Sequence, residues 1–190
     1  MRAVYLALAL MSAPVLAQAP ANVPSGTYTV DPGHTQVLFT LNHFGVSEYT
    51  GQFVQPTGTL TLDTANPAND KVEVVFPIAK VSTTVPALDA HLKSADFFDA
   101  AKYPEGKFVS TKVTVNGTNA TIDGNLTLKD VTKPVVLQAK FTGSGEMMKK
   151  FNVGFSATTT IKRSDFGIKF GLPGLGDEVK LVIHAAFQKQ

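Results

Sequence analysis

Apolar and polar residues alternate along most of this chain with a period of two. From Gln36 to Phe44, Val37, Phe39 and Leu41 alternate with Gln36, Thr40 and Asn42. Val72, Val74 and Phe76 share one parity, as do Leu126 and Leu128, and Phe108 has Val113 and Val115 near by. That period is the mark of strands with one buried and one wetted face. It predicts strands over Thr27–Val30, Gln36–Phe44, Tyr49–Leu62 (interrupted at Pro56-Thr57-Gly58), Val72–Ile78, Lys80–Thr84, Lys107–Val115, Ala120–Leu128, Val135–Thr142, Phe151–Arg163 and Val179–Phe187. Asp31-Pro32-Gly33 and Asn116-Gly117 supply turns, and Asp63 to Asp70 reads as a loop. Pro77 marks an edge or bulge. Many strands joined mostly by short turns predict an all-β fold, either a closed or nearly closed antiparallel barrel or a sandwich.

One segment departs from the period. Pro86 to Pro104 has helical composition, with Leu88, Leu92 and Ala95 at helical spacing and Phe97-Phe98 after them. A helix this short is marginal in water by itself, so it is expected to lay its apolar side across one end of the barrel. The polarity of the strands, apolar inside and polar outside, is the reverse of an outer-membrane pore. No tryptophan and only four tyrosines leave little for aromatic girdles.

The first residues stand apart. Met1-Arg2, the apolar run Ala3–Leu10 and Val15-Leu16-Ala17 read as a signal peptide cleaved after Ala17, since Pro20 follows the other small-residue site directly. The run is far short of a membrane span. Expected boundaries are 1–17 for the signal peptide, 18–25 for a linker and 26–190 for a single barrel domain. There is no cysteine, so the fold stands on its core, for which the length suffices. Formal charge is +2, becoming +1 once Arg2 is removed, and only 17% of residues are charged, with signs interspersed. Nucleic acid requires a clustered basic face; none is present here, so no nucleic-acid partner is expected.

Four histidines raise the question of a metal or of acid–base chemistry. His34 and His43 lie nine positions apart on one strand, ~30 Å at ~3.3 Å per residue, with opposite parity. His91 has no partner at four-residue spacing, and His184 is alone on the last strand. No metal site and no catalytic constellation follow, and no serine sits in a nucleophile elbow. Asp165-Phe166-Gly167 lacks every companion of a kinase motif. Gly171–Gly176 leads into a strand rather than a helix, so it is read as a flexible loop and not as a phosphate cradle. His34 is expected to bond the Asp31 turn. His43, in phase with Phe39 and Leu41, is expected at a cavity mouth or as a satisfied core histidine. Arg163, the one arginine after Ala17, is expected either to pair with Asp165 or to meet an anionic head group. Thirteen phenylalanines either fill the barrel or line a tunnel through it.

Several motifs run together. Tyr28-x-Val30-Asp31-x-x-His34-Thr35-x-Val37-x-Phe39, then His43 and Gly51-x-Phe53, open the series. Asp89-x-His91-Leu92-x-Ser94-x-Asp96-Phe97-Phe98, Tyr103-Pro104 and Phe108-x-Ser110 form its centre. Gly124-Asn125-Leu126-Thr127-Leu128-x-x-Val131-Thr132-x-Pro134-Val135 and Arg163-Ser164-Asp165-Phe166-Gly167 complete it. Together they resemble the YceI-like family over about Gly26 to Phe187. Thr35 stands where the family commonly has Ser, and Leu88 where it often has Arg. The resemblance implies an extended antiparallel β-barrel of lipocalin-like shape with a short helix near one end, enclosing a long apolar cavity for a polyisoprenoid or other long-chain amphiphile, quinone-like or prenyl-phosphate-like. The candidate ligand-contacting residues are Val37, Phe39, Leu41, His43, Phe53, Phe76, His91, Leu92, Phe97, Phe98, Phe108 and Arg163. The expected role is a periplasmic lipid carrier with no cofactor beyond that lipid, in transient contact with a membrane or membrane protein. The oligomeric state stays open, a dimer included. The alternatives are an enzyme acting on such a lipid through His43, His91 or Asp89, and a stress-related protein with a filled barrel.

Overall fold

The computed structural model describes residues 22–190; the expected signal peptide and its cleavage site lie outside them. Among the described residues are eleven strands and one α-helix: β1 (Gly26–Val30), β2 (Gln36–His43), β3 (Ser47–Val54), β4 (Thr57–Leu62), β5 (Lys71–Pro77), β6 (Val81–Ser82), α1 (Pro86–Lys93), β7 (Glu105–Asn116), β8 (Asn119–Leu128), β9 (Val131–Met147), β10 (Lys150–Lys162) and β11 (Leu175–Lys189). The strands β1-β4-β5-β7-β8-β9-β10-β11 form a ring that the β1–β11 pairing closes. All of these pairings are antiparallel.

β2, β3 and β6 lengthen the wall. β11 pairs β1 through Phe187–Lys189 and β2 through Leu175–His184, so β1 and β2 are two halves of one stave. β3 and β4 form the next stave, broken at Gln55-Pro56, where Gln55 takes a left-handed φ of 59°. The break after β1 is held by Thr35, whose hydroxyl donates to Ala186 O (3.2 Å) and accepts from Ala186 N (3.0 Å). The result is an up-and-down barrel, closed and stretched along its axis, which is how a barrel removes exposed sheet edges.

Parity sets which residues enter the barrel, and one break in parity has a visible cause. Phe108 and Val113 are five apart yet both face inward, because the β7–β8 register shifts between Ser110 and Lys112. A β-bulge inserts one extra residue and turns the rest of the strand over.

Of the boundaries that differ from expectation, three have a visible cause. β9 begins at Val131 rather than Val135, because Pro134 pairs with β8 only; β10 joins β9 from Gln138 onward, so the missing Pro N–H faces an unpaired side. α1 stops at Lys93. Ser94 leaves helical geometry (φ −73°, ψ 172°), and its hydroxyl caps His91 O at 2.7 Å. Of the expected linker, residues 22–25 are described, and they pack onto the barrel. Val23 is buried beside Tyr28, the Tyr28 hydroxyl donates to Pro24 O at 2.6 Å, and Ser25 Oγ lies 2.8 Å from Thr64 Oγ1. The folded unit therefore starts before Gly26.

Candidate ligand-binding cavity

The barrel is not filled. It encloses a cavity of about 260 Å³ lined almost throughout by Val, Leu, Ile, Phe and Ala. One water molecule needs only ~10–15 Å³ of such space, and well-packed interiors have few voids larger than that. The cavity runs along the barrel axis. At one end Leu92 of α1, with Phe97 and Ile168, closes it; all three are buried. At the other end it is lined by Thr64 and Asp70 from the β4–β5 loop, Lys71, and Gly117, Thr118 and Asn119 of the β7–β8 hairpin. Lys71, Gly117, Thr118 and Asn119 are solvent-exposed, so that end is the opening.

Ten of the twelve expected contact residues line the cavity: Val37, Phe39, Leu41, Phe53, Phe76, Leu92, Phe97, Phe98, Phe108 and Arg163. The aromatic members form a connected row, with Phe39–Phe53 at 5.6 Å, Phe53–Phe76 at 5.1 Å and Phe53–Phe98 at 5.3 Å between ring centroids. The two histidines are corrections. His43 is in phase with Leu41, but it lies beyond a register shift in the β2–β11 ladder, paired with Leu175 at the first residue of β11. His43 is exposed, and its ring lies edge-on to Phe44 at 4.9 Å. His91 sits one residue before the inward-facing Leu92, a rotation of about 100° on a helix. Its Nε2 shares a hydrogen bond with Asp96 (2.9 Å), and its ring packs edge-on to Phe97 (5.0 Å) and Phe170 (5.1 Å), outside the cavity. Asp89 is likewise not among the lining residues; one carboxylate oxygen accepts from both the amide and the hydroxyl of Thr83, at 2.6 Å each, and ties the helix to the end of β6. His34 bonds Asp31 at 2.9 Å, as its turn implies.

A model of the YceI-like domain matches residues 28–187. The chain belongs to the YceI-like family. Over 151 residues, 79% of both chains, it is 44% identical to the protein YceI of Escherichia coli O157:H7. Its fold is shared with BcnA of Burkholderia cenocepacia, at a TM-score of 0.75 and 22% identity over 83% of this chain and 98% of that one. It is shared as well with a polyisoprenoid binding domain from Saccharophagus degradans implicated in plant cell wall breakdown, at a TM-score of 0.67 and 13% identity over 86% of this chain and 98% of that one.

Among the described residues, Arg163 is the one cationic side chain that lines the closed end of this YceI-like barrel's cavity. No ion pair with Asp165 forms. Instead its Nε donates to Gly176 O (2.8 Å), Nη1 to Ile168 O (3.0 Å) and Phe170 O (2.9 Å), and Nη2 to Leu175 O (2.8 Å). The guanidinium thus staples residues 168–176 over the end of the barrel, and the glycine-rich stretch Gly171–Gly176, expected to be flexible, is held at two of its carbonyls and at two just before it. Burial lowers the Arg163 pKa from the usual arginine value, and the charge of Asp177 opposes that shift. Desolvation works against the Asp177 carboxylate, but hydrogen bonds from Ser164 N (2.9 Å) and Ser164 Oγ (2.8 Å), with the Arg163 charge, hold its pKa below the ordinary value. Four of the five guanidinium N–H groups are engaged, so little remains for an anionic head group.

Asp70, at the opening, was read only as loop. Burial raises its pKa to about 6, and the nearby Asp63 charge adds to that, against a hydrogen bond from Asp63 N at 2.7 Å. Several wall residues also escaped the sequence reading, among them Leu137, Ile168, Val179, Leu181 and Ile183. The shared parity of Val179, Leu181 and Ile183 was the signal for the last three-residue row. Ile168 had no such signal, because its position depends on the Arg163 staple.

Proposed function

We propose that the protein is a carrier that shelters one long isoprenoid-like lipid in its barrel without acting chemically on it. The observation that carries this reading is the cavity itself: enclosed, apolar along its length, plugged at one end and edged with polar residues at the other. That shape fits an amphiphile with its tail toward α1 and its head group near Asp70, Lys71 and Thr118. The Saccharophagus degradans domain of the same fold, described as polyisoprenoid-binding, supports the ligand class. With the Arg163 donors occupied at the far end, and the Asp70 carboxylate offsetting Lys71 at the opening, an uncharged, hydroxyl-bearing or quinone-like head is favoured over a prenyl phosphate.

The setting proposed for this role is the periplasm, after cleavage behind Ala17, with loading and release through transient contact with a membrane. N-terminal sequencing of the mature protein tests the cleavage. Native mass spectrometry of protein purified from its own host tests the carrier reading: a co-purifying isoprenoid of defined mass, chemically unchanged on extraction, is expected. A protein that emerges without lipid and takes up none from lipid extracts would refute it.

A further inference from the structure

The phenylalanines that face the cavity do not simply project into it. Phe39 on β2 lies directly opposite Gly51 on β3, and Phe76 on β5 directly opposite Gly106 on β7. Phe108 on β7 lies diagonally across from Gly124 on β8. In all three pairs the ring lies over the glycine so closely that a Cβ added there would come within 3.0 Å of the ring's outer carbons. The rings are buried, line the cavity and follow the wall. A glycine in a strand interior gives up packing and adds unfolded-state entropy, and none of these three has a left-handed φ that would call for one. What the three glycines have in common is the phenylalanine ring seated on each.

We infer that these ring-on-glycine pairs set the bore of the cavity, and that they hold it wide enough for the methyl branches of a polyprenyl chain where a straight acyl chain would need less. A side chain at Gly51 or Gly106 would lift the Phe39 or Phe76 ring off the wall. The nearest atoms in both cases are the far ends of side chains, so the ring can move, and the free space next to it is the cavity. Gly124 differs, because its added Cβ would also meet the backbone oxygen of Val109 at 2.7 Å; substitution there strains the sheet itself. Phe39 and Phe76 belong to the aromatic row that reaches Phe98 beside α1. Narrowing is therefore felt in the deep part of the cavity, where the tail ends.

This inference rests on the carrier reading, and the experiment separates the two. Geranylgeraniol and cetyl alcohol carry the same alcohol head on main chains of equal length, and only the first has methyl branches. Both are titrated against the intact mature protein, the Gly51→Ala variant and the Gly51→Ala/Phe39→Leu double variant, with circular dichroism and urea unfolding confirming the fold. For Gly51→Ala, binding of geranylgeraniol is expected to weaken about tenfold, which corresponds to ~1.4 kcal/mol, while cetyl alcohol changes far less. Phe39→Leu, which removes the ring's reach, should restore geranylgeraniol binding in the Gly51→Ala background. Equal affinity of the folded Gly51→Ala variant for both ligands relative to the parent overturns the inference. So does an equal loss of both that Phe39→Leu does not rescue. A parent protein that binds neither alcohol refutes the carrier reading instead, and the bore assignment then falls with it.

Discussion

Replacing Arg163 by Met keeps most of the side chain's length and removes its charge and donors. Four carbonyls, of Ile168, Phe170, Leu175 and Gly176, then lose their partner. Hydrogen bonds to charged groups contribute about 1.5–3 kcal/mol each, so the gross loss approaches ~6 kcal/mol at the low end. Some of it is recovered, because Gly176 and Leu175 are only partly buried and water can reach their carbonyls once the segment loosens. Removing the desolvated guanidinium also relieves the cost of burying a charge, the same cost that lowers its pKa. A net destabilisation of about 3–5 kcal/mol remains, in the range measured for breaking a buried charged contact and a large share of the ~5–15 kcal/mol that holds a domain together.

Urea unfolding of the mature protein reads this directly. With a slope of ~2 kcal/mol per molar, the midpoint should fall by about 1.5–2.5 M. Hydrogen exchange should rise first in residues 167–176, ahead of the strands, because that segment loses its staple while the ring of strands does not. Arg163→Lys is the discriminating companion. A lysine keeps the charge but presents a compact ammonium that cannot span four carbonyls. It should be destabilised almost as much as Arg163→Met. If Arg163→Lys instead keeps full stability, or if Arg163→Met keeps stability and loses only lipid, then the residue acts through its charge on a ligand and the staple argument is wrong.

Asp70 makes stability depend on pH in a stated direction. Its folded-state pKa of about 6 lies above the unfolded carboxylate value, so the folded state binds more protons between pH ~4 and ~6 and stability falls as pH rises through that window. Two units would be worth ~3 kcal/mol, but the group is only partly buried, and screening reduces this to the order of 1 kcal/mol. Asp70→Asn keeps an acceptor for Asp63 N and removes the titration. The stability difference between variant and parent should therefore grow in favour of Asn by about 1 kcal/mol from pH 4 to pH 7, and a flat difference would refute the assignment. Asp31, Asp63 and Asp177, whose pKa values are lowered, lose their contributions only below that window. Phe39→Asp places a carboxylate in the apolar wall and should abolish lipid retention; unchanged occupancy in a folded variant would contradict the inward placement. Tyr28→Phe removes the bond to Pro24 O and should cost about 1 kcal/mol, read as a Tm lower by ~2–4 °C, with a larger loss if the 22–25 segment detaches.

The barrel was legible because its information is local. Alternation along each strand names the inward face, and Val37, Phe39, Leu41, Phe76 and Phe108 of the cavity wall follow from parity and Leu92 from the helix pattern. What sequence could not show depends on where strands end relative to one another. His43 has the parity of the wall but is exposed beyond the β2–β11 register shift, which nothing local in β2 announces. His91 was placed within one residue of the inward face, and one residue is 100° on a helix. Pro134 stopped an expected strand because its free edge is a property of the β9–β10 register. Arg163 had two readings involving a carboxylate or an anion, and its actual partners are four backbone oxygens on a loop with no periodic signal. The three ring-bearing glycines did carry a signal. An isolated glycine inside a strand pattern marks close approach, and pairing each with the phenylalanine on the next strand needs only the register.

The energetics bear on why an open-ended cavity suits a carrier. Burying a forty-carbon prenyl tail at ~0.8 kcal/mol per carbon amounts to about 30 kcal/mol relative to water, well past the ~18–21 kcal/mol at which noncovalent affinity saturates. That sum cannot be an affinity, because such a tail is never free in water; the cavity competes with a bilayer that offers the same apolar environment. What separates the two environments is then the difference in packing and in head-group hydration. On the bore proposed above, a cavity wall made of rings seated on glycines would fit a branched chain without gripping it at every carbon. Polar residues gathered at the opening, Thr64, Asp70, Lys71, Thr118 and Asn119, would leave a head group there close to solvent. For the carrier proposed above, both features would keep the net preference small, and a small preference would let lipid move in either direction when the opening meets a membrane. On this argument, filling the cavity more tightly would make a better container and a poorer carrier. A variant selected for slower lipid release should therefore also deliver less lipid to acceptor vesicles at equal loading; faster delivery from a tighter variant would refute the argument.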